Sequence, residues 1–345
     1  MQKRKERVRL ITENKLMTIK IGIGLDNLIF GMSQENVINI MDKPDKIVKT
    51  QPLQDFDYYF DNQLIRISFD SSEDYRLYTI EVFNPKVIMC NQQLINKDKG
   101  EILALLKSNG YYEIEQEEYE TFETLLCEEL GSEFSFEFNK LKSISFSPLF
   151  DDNDEIIWPM KKEESNHDCS LFENFQCPVN LMSSSEFVKE NKLMEIKIGL
   201  GLDNIIFGIF QEDVINVLGK PDKISESEKE DGIVYYYNNQ MIKTKFDLLD
   251  NGKLYSFEVY NPKAIMFNQE IINKKKSEIL DLLKLNGYDD IEQEDYEFFE
   301  TLFCRGIWST FAFEFGKLVH VEFSPLSDSN DKIIWPMEKE IKDNS

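Results

Sequence analysis

Residues 31–44 read Gly31-Met32-Ser33-Gln34-Glu35-Asn36-Val37-Ile38-Asn39-Ile40-Met41-Asp42-Lys43-Pro44. Ser33 is placed as an N-cap, its hydroxyl ready to accept a backbone N–H that the first helical turn leaves unpaired. Val37, Ile38, Ile40 and Met41 supply an apolar face, and Pro44 stops the helix because it cannot continue the hydrogen-bond ladder. Three strand signals follow, at 56–60, 64–69 and 77–83. In the second, Ile65, Ile67 and Phe69 alternate with polar residues, as a half-buried strand requires. Asp61-Asn62 and Ser71-Ser72 supply turns, and Asn84-Pro85 ends the run. This order predicts an α+β layer, with helices on one face of an antiparallel meander sheet. The other face is left partly open to water or to a partner.

Downstream the order returns. Residues 99–109 read as a helix, with Ile102, Leu103, Leu105 and Leu106 apolar and Asn109-Gly110 closing it. Strand signals follow at 121–127, 133–138 and 142–146. Leu77-x-x-Ile80-x-Val82 resembles Leu141-x-x-Ile144-x-Phe146. A helix plus three strands is therefore expected twice within about 150 residues.

A larger repeat encloses this one. Glu13-Asn14-Lys15-Leu16-Met17 recurs as Glu190-Asn191-Lys192-Leu193-Met194, and the copies align without a gap to Glu163 and Glu340 at a constant offset of 177. About 60% of the aligned positions are identical, far outside chance for this length. The expected organisation is a basic arm at 1–12, a first repeat domain at 13–163, a linker at 164–189, a second repeat domain at 190–340 and a tail at 341–345. Each copy has the size of one ordinary domain.

The 345 residues hold 39 Lys+Arg, 64 Asp+Glu and two His, a formal net charge of −25. The copies carry −14 (15 basic, 29 acidic) and −12 (17 basic, 29 acidic). Such acidity argues against gripping nucleic-acid phosphates. No run of about 18 apolar residues exists, so no membrane helix is expected, and no apolar signal-peptide core follows the basic arm. The five cysteines are odd in number and widely spaced, unlike a disulfide framework. A soluble, cytoplasmic protein is expected.

The segment from Phe30-Gly31-Met32-Ser33 to Lys43-Pro44, followed by a meander, resembles the helix-then-sheet module of the β-lactamase-inhibitor-protein and SmpA/OmlA-like group. Many members flank the helix with a Gly-x-Ser start and a Gly-x-Pro stop. The second copy has Gly219-Lys220-Pro221 at the stop; the first has Asp42-Lys43-Pro44, and Phe210 stands where Ser33 does. The resemblance covers about 15 residues per copy. It implies a sheet that binds another protein, and it transfers no contact residue. SmpA-type proteins are usually lipoproteins, and this chain shows no signal or lipid-bearing Cys at its start.

Most chemical motifs read as structure. Gly22-x-Gly24-x-x-Asn27 and Gly199-x-Gly201-x-x-Asn204 lack the third glycine and the parallel βαβ context of a dinucleotide site, so they read as turns. His167, Cys169 and Cys177 do not complete a zinc ligand set. Cys127 and Cys304 lie in apolar strand runs without a histidine to activate them. Asp151-Asp152-Asn153-Asp154-Glu155 lacks the glycine and distant glutamate of a calcium loop. Trp158 and Trp335, in matching Ile-Ile-Trp-Pro-Met tails, read as packing onto their own domains. No metal, cofactor or catalytic residue is expected.

Charge is the strongest pointer. Glu113, Glu115, Glu117, Glu118, Glu120 and Glu123 form a run without a basic residue, and Asp289, Asp290, Glu292, Glu294, Asp295, Glu297 and Glu300 occupy the same place in the second copy. Such like charges repel one another, and a basic partner relieves the repulsion and is steered in. The expected function is a non-enzymatic acidic protein-binding module. Its most concrete form is an inhibitor or immunity protein for a basic toxin, with Glu113, Glu115, Glu117, Glu118, Glu120, Asp289, Asp290, Glu292, Glu294 and Asp295 as the partner-binding residues. Two alternatives are a scaffold pseudo-dimer recognised through Tyr58, Tyr59, Tyr235 and Tyr236, and an enzyme using paired carboxylates.

Overall fold

The computed structural model describes residues 16–119, 121–159, 193–227, 232–249, 252–296, 299–328 and 332–336. The expected N-terminal arm, the linker and the C-terminal tail lie outside these residues. The chain divides into two compact units between Ser184 and Ser185.

In the first unit, β1 (Met17–Lys20), β2 (Gly24–Leu25) and β3 (Leu28–Ile29) lead into α1 (Gln34–Met41). The Ser33 hydroxyl accepts from the Asn36 backbone N–H at 3.3 Å, and Asp42 turns the chain out of the helix at φ 67°. A meander follows: β4 (Lys46–Lys49), β5 (Phe56–Phe60), β6 (Ile65–Asp70) and β7 (Arg76–Val82). After β8 (Val87–Met89) and β9 (Gln92–Gln93) comes α2 (Lys99–Ser108). A second meander runs through β10 (Glu115–Glu118), β11 (Glu123–Cys127), β12 (Ser132–Glu137) and β13 (Lys140–Phe146), before the short pair β14 (Leu149–Phe150) and β15 (Ile156–Ile157).

The two meanders form one eight-stranded sheet, in the order β10-β11-β12-β13-β7-β6-β5-β4. Each contains four strands rather than the expected three. The extra strands, β4 and β10, are the two edges. They are four residues long, too short for alternation to show in sequence. The seam between the meanders is β7 on β13, paired Ile80↔Phe146, Glu81↔Ser145 and Val82↔Ile144. In the inner repeat, 80 corresponds to 144 and 82 to 146, so the pairing maps onto itself about Glu81 and Ser145. That is the signature of a two-fold contact between like surfaces. The bulge between Ser68 and Phe69 on β6 has its counterpart between Ser135 and Phe136 on β12.

The core lies on one sheet face. Ile67, Phe69, Ile80, Phe134, Phe136 and Ile144 are sealed there with Val37 of α1 and Ile102 and Leu106 of α2. A smaller sheet, β3-β2-β1-β8-β9, flanks it. Gly24 is required at its hairpin: at φ +143° a Cβ would stand 2.0 Å from the Leu28 carbonyl oxygen. The glycine pattern is thus a tight turn.

The second unit contains β16 (Met194–Lys197), β17 (Gly201–Leu202), β18 (Ile205–Ile206), α3 (Gln211–Leu218), β19 (Lys223–Ser227), β20 (Gly232–Tyr237), β21 (Ile242–Asp247) and β22 (Lys253–Val259). It continues with β23 (Ala264–Met266), β24 (Gln269–Glu270), α4 (Lys276–Leu285), β25 (Ile291–Asp295), β26 (Glu300–Cys304), β27 (Ser309–Glu314) and β28 (Lys317–Phe323). Its large sheet runs β19-β20-β21-β22-β28-β27-β26-β25, and its seam pairs Phe257↔Phe323, Glu258↔Glu322 and Val259↔Val321.

One contrast separates the two cores. Tyr237 and Thr244 stand where the first copy has Phe60 and Ile67. Both are sealed, and among the described residues neither the Tyr237 hydroxyl nor Thr244 Oγ1 has a hydrogen-bond partner. Burial pushes the Tyr237 phenol up to about 12. An unpaired buried hydroxyl costs about 1–3 kcal/mol. Tyr237→Phe and Thr244→Val are therefore expected to stabilise the second unit by about 1 kcal/mol each, read as a higher urea midpoint. Unchanged or lowered midpoints would show that these hydroxyls are satisfied.

Candidate functional site

The acidic runs form the outermost strand of each large sheet. Glu115, Gln116, Glu117 and Glu118 of β10 are all exposed, as are Glu292, Gln293, Glu294 and Asp295 of β25. Glu113, Asp289 and Asp290, just ahead of these strands, are exposed too. Glu120 and Glu297 lie outside the described residues. β10 pairs antiparallel with β11 (Glu115↔Leu126, Glu117↔Thr124), which puts Glu115 and Glu117 on the sheet face opposite the core. At the hairpin ends, Tyr119 stacks on Phe122 at 4.5 Å and Tyr296 on Phe299 at 4.6 Å. The Tyr119 hydroxyl donates to Glu117, and Tyr296 donates to Glu294.

Tertiary contacts neutralise part of these runs. Glu123 pairs with Lys99, and Glu300 with Lys276 at 2.6 Å. In the second unit Arg305 reaches Glu292 at 2.9 Å and Asp290 at 3.9 Å. The first copy has Glu128 in place of Arg305. Among the described residues, no cation pairs with Glu113, Glu115 or Glu117. The first edge is the more strongly negative.

The tyrosine pairs alternate across the sheet. Tyr58 belongs to the core of the first unit, against Phe69 at 4.8 Å, and Tyr235 to that of the second, against Phe246 at 4.9 Å. Tyr59 and Tyr236 face the other way. All four are only 6% exposed, so they offer little area to a partner.

A second polar arrangement was invisible in the sequence. Hydrogen-bonded pairing aligns one row across the whole first sheet: Lys46, Tyr59, Arg66, Glu81, Ser145, Glu133, Leu126, Glu115. The corresponding row in the second is Lys223, Tyr236, Lys243, Glu258, Glu322, Thr310, Phe303, Glu292. Cations occupy the first meander, anions the seam and beyond.

At the first seam, Glu81 pairs with Arg66 at 2.7 Å and accepts from Ser143 Oγ at 2.7 Å. Burial pushes the Tyr59 phenol up to about 12 against the opposing pull of Arg66. At the second seam, Glu258 is held by Lys243 at 3.0 Å, Lys245 at 2.7 Å and the Tyr260 hydroxyl at 2.9 Å. Lys245 also reaches Glu322 at 2.7 Å, and His320 stacks on Tyr260 at 4.5 Å. Burial pushes the Glu258 carboxyl up, but the ammonium groups of Lys243 and Lys245 outweigh it and hold it well below the usual carboxylate range. Glu133 in the first unit goes the other way, raised by burial and then by Glu81 and Glu117.

Most of the remaining motifs pack or hydrogen-bond within their own units. Cys127 and Cys304 are sealed, and burial raises their thiols, leaving them protonated. Asp151 accepts from the Asn153 and Glu155 backbone N–H groups at 2.8 and 3.0 Å, closing its own loop. Trp158 lies against Gly31 and beneath the Arg76 guanidinium, and Trp335 beneath the Lys253 ammonium at 4.8 Å. His167, Cys169 and Cys177 lie outside the described residues. Among the described residues, no group of three or more His, Cys, Asp or Glu could hold a metal ion. Among them too, no helix is long and apolar enough to cross a membrane.

No protein-family model and no curated protein matches the chain. Among solved structures, it is similar to an extracellular protein containing a SCP domain from Bacillus anthracis str. Ames, at 14% identity and a TM-score of 0.25. The match covers 43% of this chain and 50% of that one, so the chain spans half the length of that protein. At that TM-score the likeness carries no argument.

Glu258 at the second seam and Glu133 on β12 of the first unit give opposite responses to acid. The folded pKa of Glu258 is depressed, so its stabilisation is present above the unfolded value near 4.3 and is lost as pH falls through the folded one. The folded pKa of Glu133 is raised, so protonating it relieves the fold. Glu258→Gln is expected to cost about 3 kcal/mol at pH 7, because it strands buried Lys243. Glu133→Gln is expected to raise stability at pH 7 and to change it less at pH 3. Urea titrations at both pH values check the pair, and equal effects of the two substitutions would refute the assignment.

Proposed function

We propose that the chain is two tandem copies of one α+β domain, and that it acts in the cytoplasm as a non-enzymatic binding protein for a basic protein partner. Its most concrete form is an inhibitor or immunity protein for a basic toxin. The observation that carries this reading is the exposed acidic edge strand in each unit, β10 and β25, with Glu113, Glu115 and Glu117 of the first run unpaired to any cation among the described residues. The outer repeat, the shared strand order of the two large sheets and the sequence resemblance to the β-lactamase-inhibitor-protein and SmpA/OmlA-like group support it. The scaffold alternative draws less support, since its four tyrosines are buried.

Exposed charges act over the screening length, which is about 10 Å at 0.1 M salt and about 3 Å at 1 M. A pull-down from the producing cell is expected to retain a basic protein at 0.1 M salt and to release it at 1 M. Reversing Glu115, Glu117 and Glu118 to Lys is expected to weaken that binding at least about ten-fold. No basic protein retained at low salt, or binding indifferent to the reversal, overturns the reading.

A further inference from the structure

Among the described residues, strands β10 and β25 each have a single neighbour in their sheets, so one edge of each backbone faces away from the sheet. Such an edge is a template for another strand. Three observations say what fits it. The first is register. Glu115 and Glu117 stand two residues apart on one face, as do Glu292 and Glu294. A strand laid along the edge presents its alternate side chains opposite them.

The second is the aromatic pair at each hairpin end. Tyr119 and Phe122 are 44% and 41% exposed, and Tyr296 and Phe299 are 45% and 40% exposed. Charges alone are an ordinary guard for a sheet edge. An exposed stacked pair works against guarding, because it adds apolar surface where pairing must be discouraged. A ring face beside carboxylates suits an ammonium or guanidinium group.

The third is what the copies retain. Residues 114–123 and 291–300 agree at 8 of 10 positions, whereas 46–55 and 223–232, which hold the opposite edge, agree at 2 of 10. One edge has kept its surface and the other has not.

We infer that β10 and β25 are docking edges for an extended basic segment with Lys or Arg at every second position, added as a further strand of the sheet. The inference rests on the basic-partner reading and specifies its mode. β10 is the stronger of the two sites, because Arg305 already occupies Glu292 in the second unit.

The test uses the full chain and a labelled peptide of about twelve residues, the length of a long strand, in which Lys alternates with Thr and Val. A second peptide carries the same side chains with its central backbone nitrogens methylated. At 0.1 M salt the parent peptide is expected to bind at least about ten-fold more tightly than the methylated one. Binding is also expected to slow hydrogen exchange in β10 and β25. Glu115→Gln with Glu117→Gln, at two exposed positions that leave the core untouched, is expected to abolish the added protection in β10 and to leave that in β25. Equal affinity of the two peptides overturns strand addition and leaves the basic-partner reading standing. Failure of both peptides while a folded basic protein binds has the same meaning. Failure of every basic ligand overturns both.

Discussion

Each large sheet is continuous only because one strand of the first meander pairs with one of the second, over three residue pairs. The pairing is of like with like, so the residue at its centre must face its own counterpart. A glutamate at that position therefore meets whatever the other half-domain supplies. In the first unit the counterpart of Glu81 is Ser145, and Arg66 with Ser143 satisfies the one carboxylate. In the second, Glu258 meets Glu322, and Lys245 bridges the two at 2.7 Å each. Two close carboxylates on a half-buried face repel each other unless a cation lies between them. In the second unit Lys245 fills that place.

Charge is also unevenly distributed along the row that crosses the seam. The cations serving the seam come from the first meander, Arg66 in one unit and Lys243 and Lys245 in the other. The acidic edge ends the second meander. Between β6 and β10 lie five strand spacings, roughly 24 Å at about 4.8 Å each. The screening length at physiological salt is about 8 Å. The seam cations are therefore too distant to offset Glu115 and Glu117 appreciably through solvent.

The helices and the longer strands were legible because their apolar residues recur with the right period. Ser33 was readable as a cap because its job is local. The edge strands were not, since Glu115–Glu118 holds no apolar residue and owes its conformation to pairing with β11. The seam charges were hidden for a different reason. Glu81 and Glu258 look like ordinary polar positions in alternating strands, and their partners come from register set far along the chain: Ser143 lies 62 residues from Glu81, and Glu322 lies 77 from Lys245. The acidic run itself was plain in the sequence. Its partial neutralisation by Lys99, Lys276 and Arg305 was not, because those cations arrive from other elements. Tyr58 and Tyr59 are neighbours in sequence but face opposite sides of the sheet, which the alternation of strands makes unavoidable.

The differences between the two units separate what the face must keep from what it can exchange. Ser68 and Ser145 in the first copy correspond to Lys245 and Glu322 in the second. The second unit carries one more cation and one more anion at these two positions, so they add no net charge there. A region whose only demand is internal neutrality accepts paired exchanges of this kind. The acidic edge shows no such exchange: Glu115, Gln116 and Glu117 stand opposite Glu292, Gln293 and Glu294, and Glu118 changes only to Asp295. The backbone hydrogen bonds from β11 or β26 do not fix the charge of these positions, although charge also guards an open sheet edge. The retained pattern is the surface on which the proposed docking edge rests.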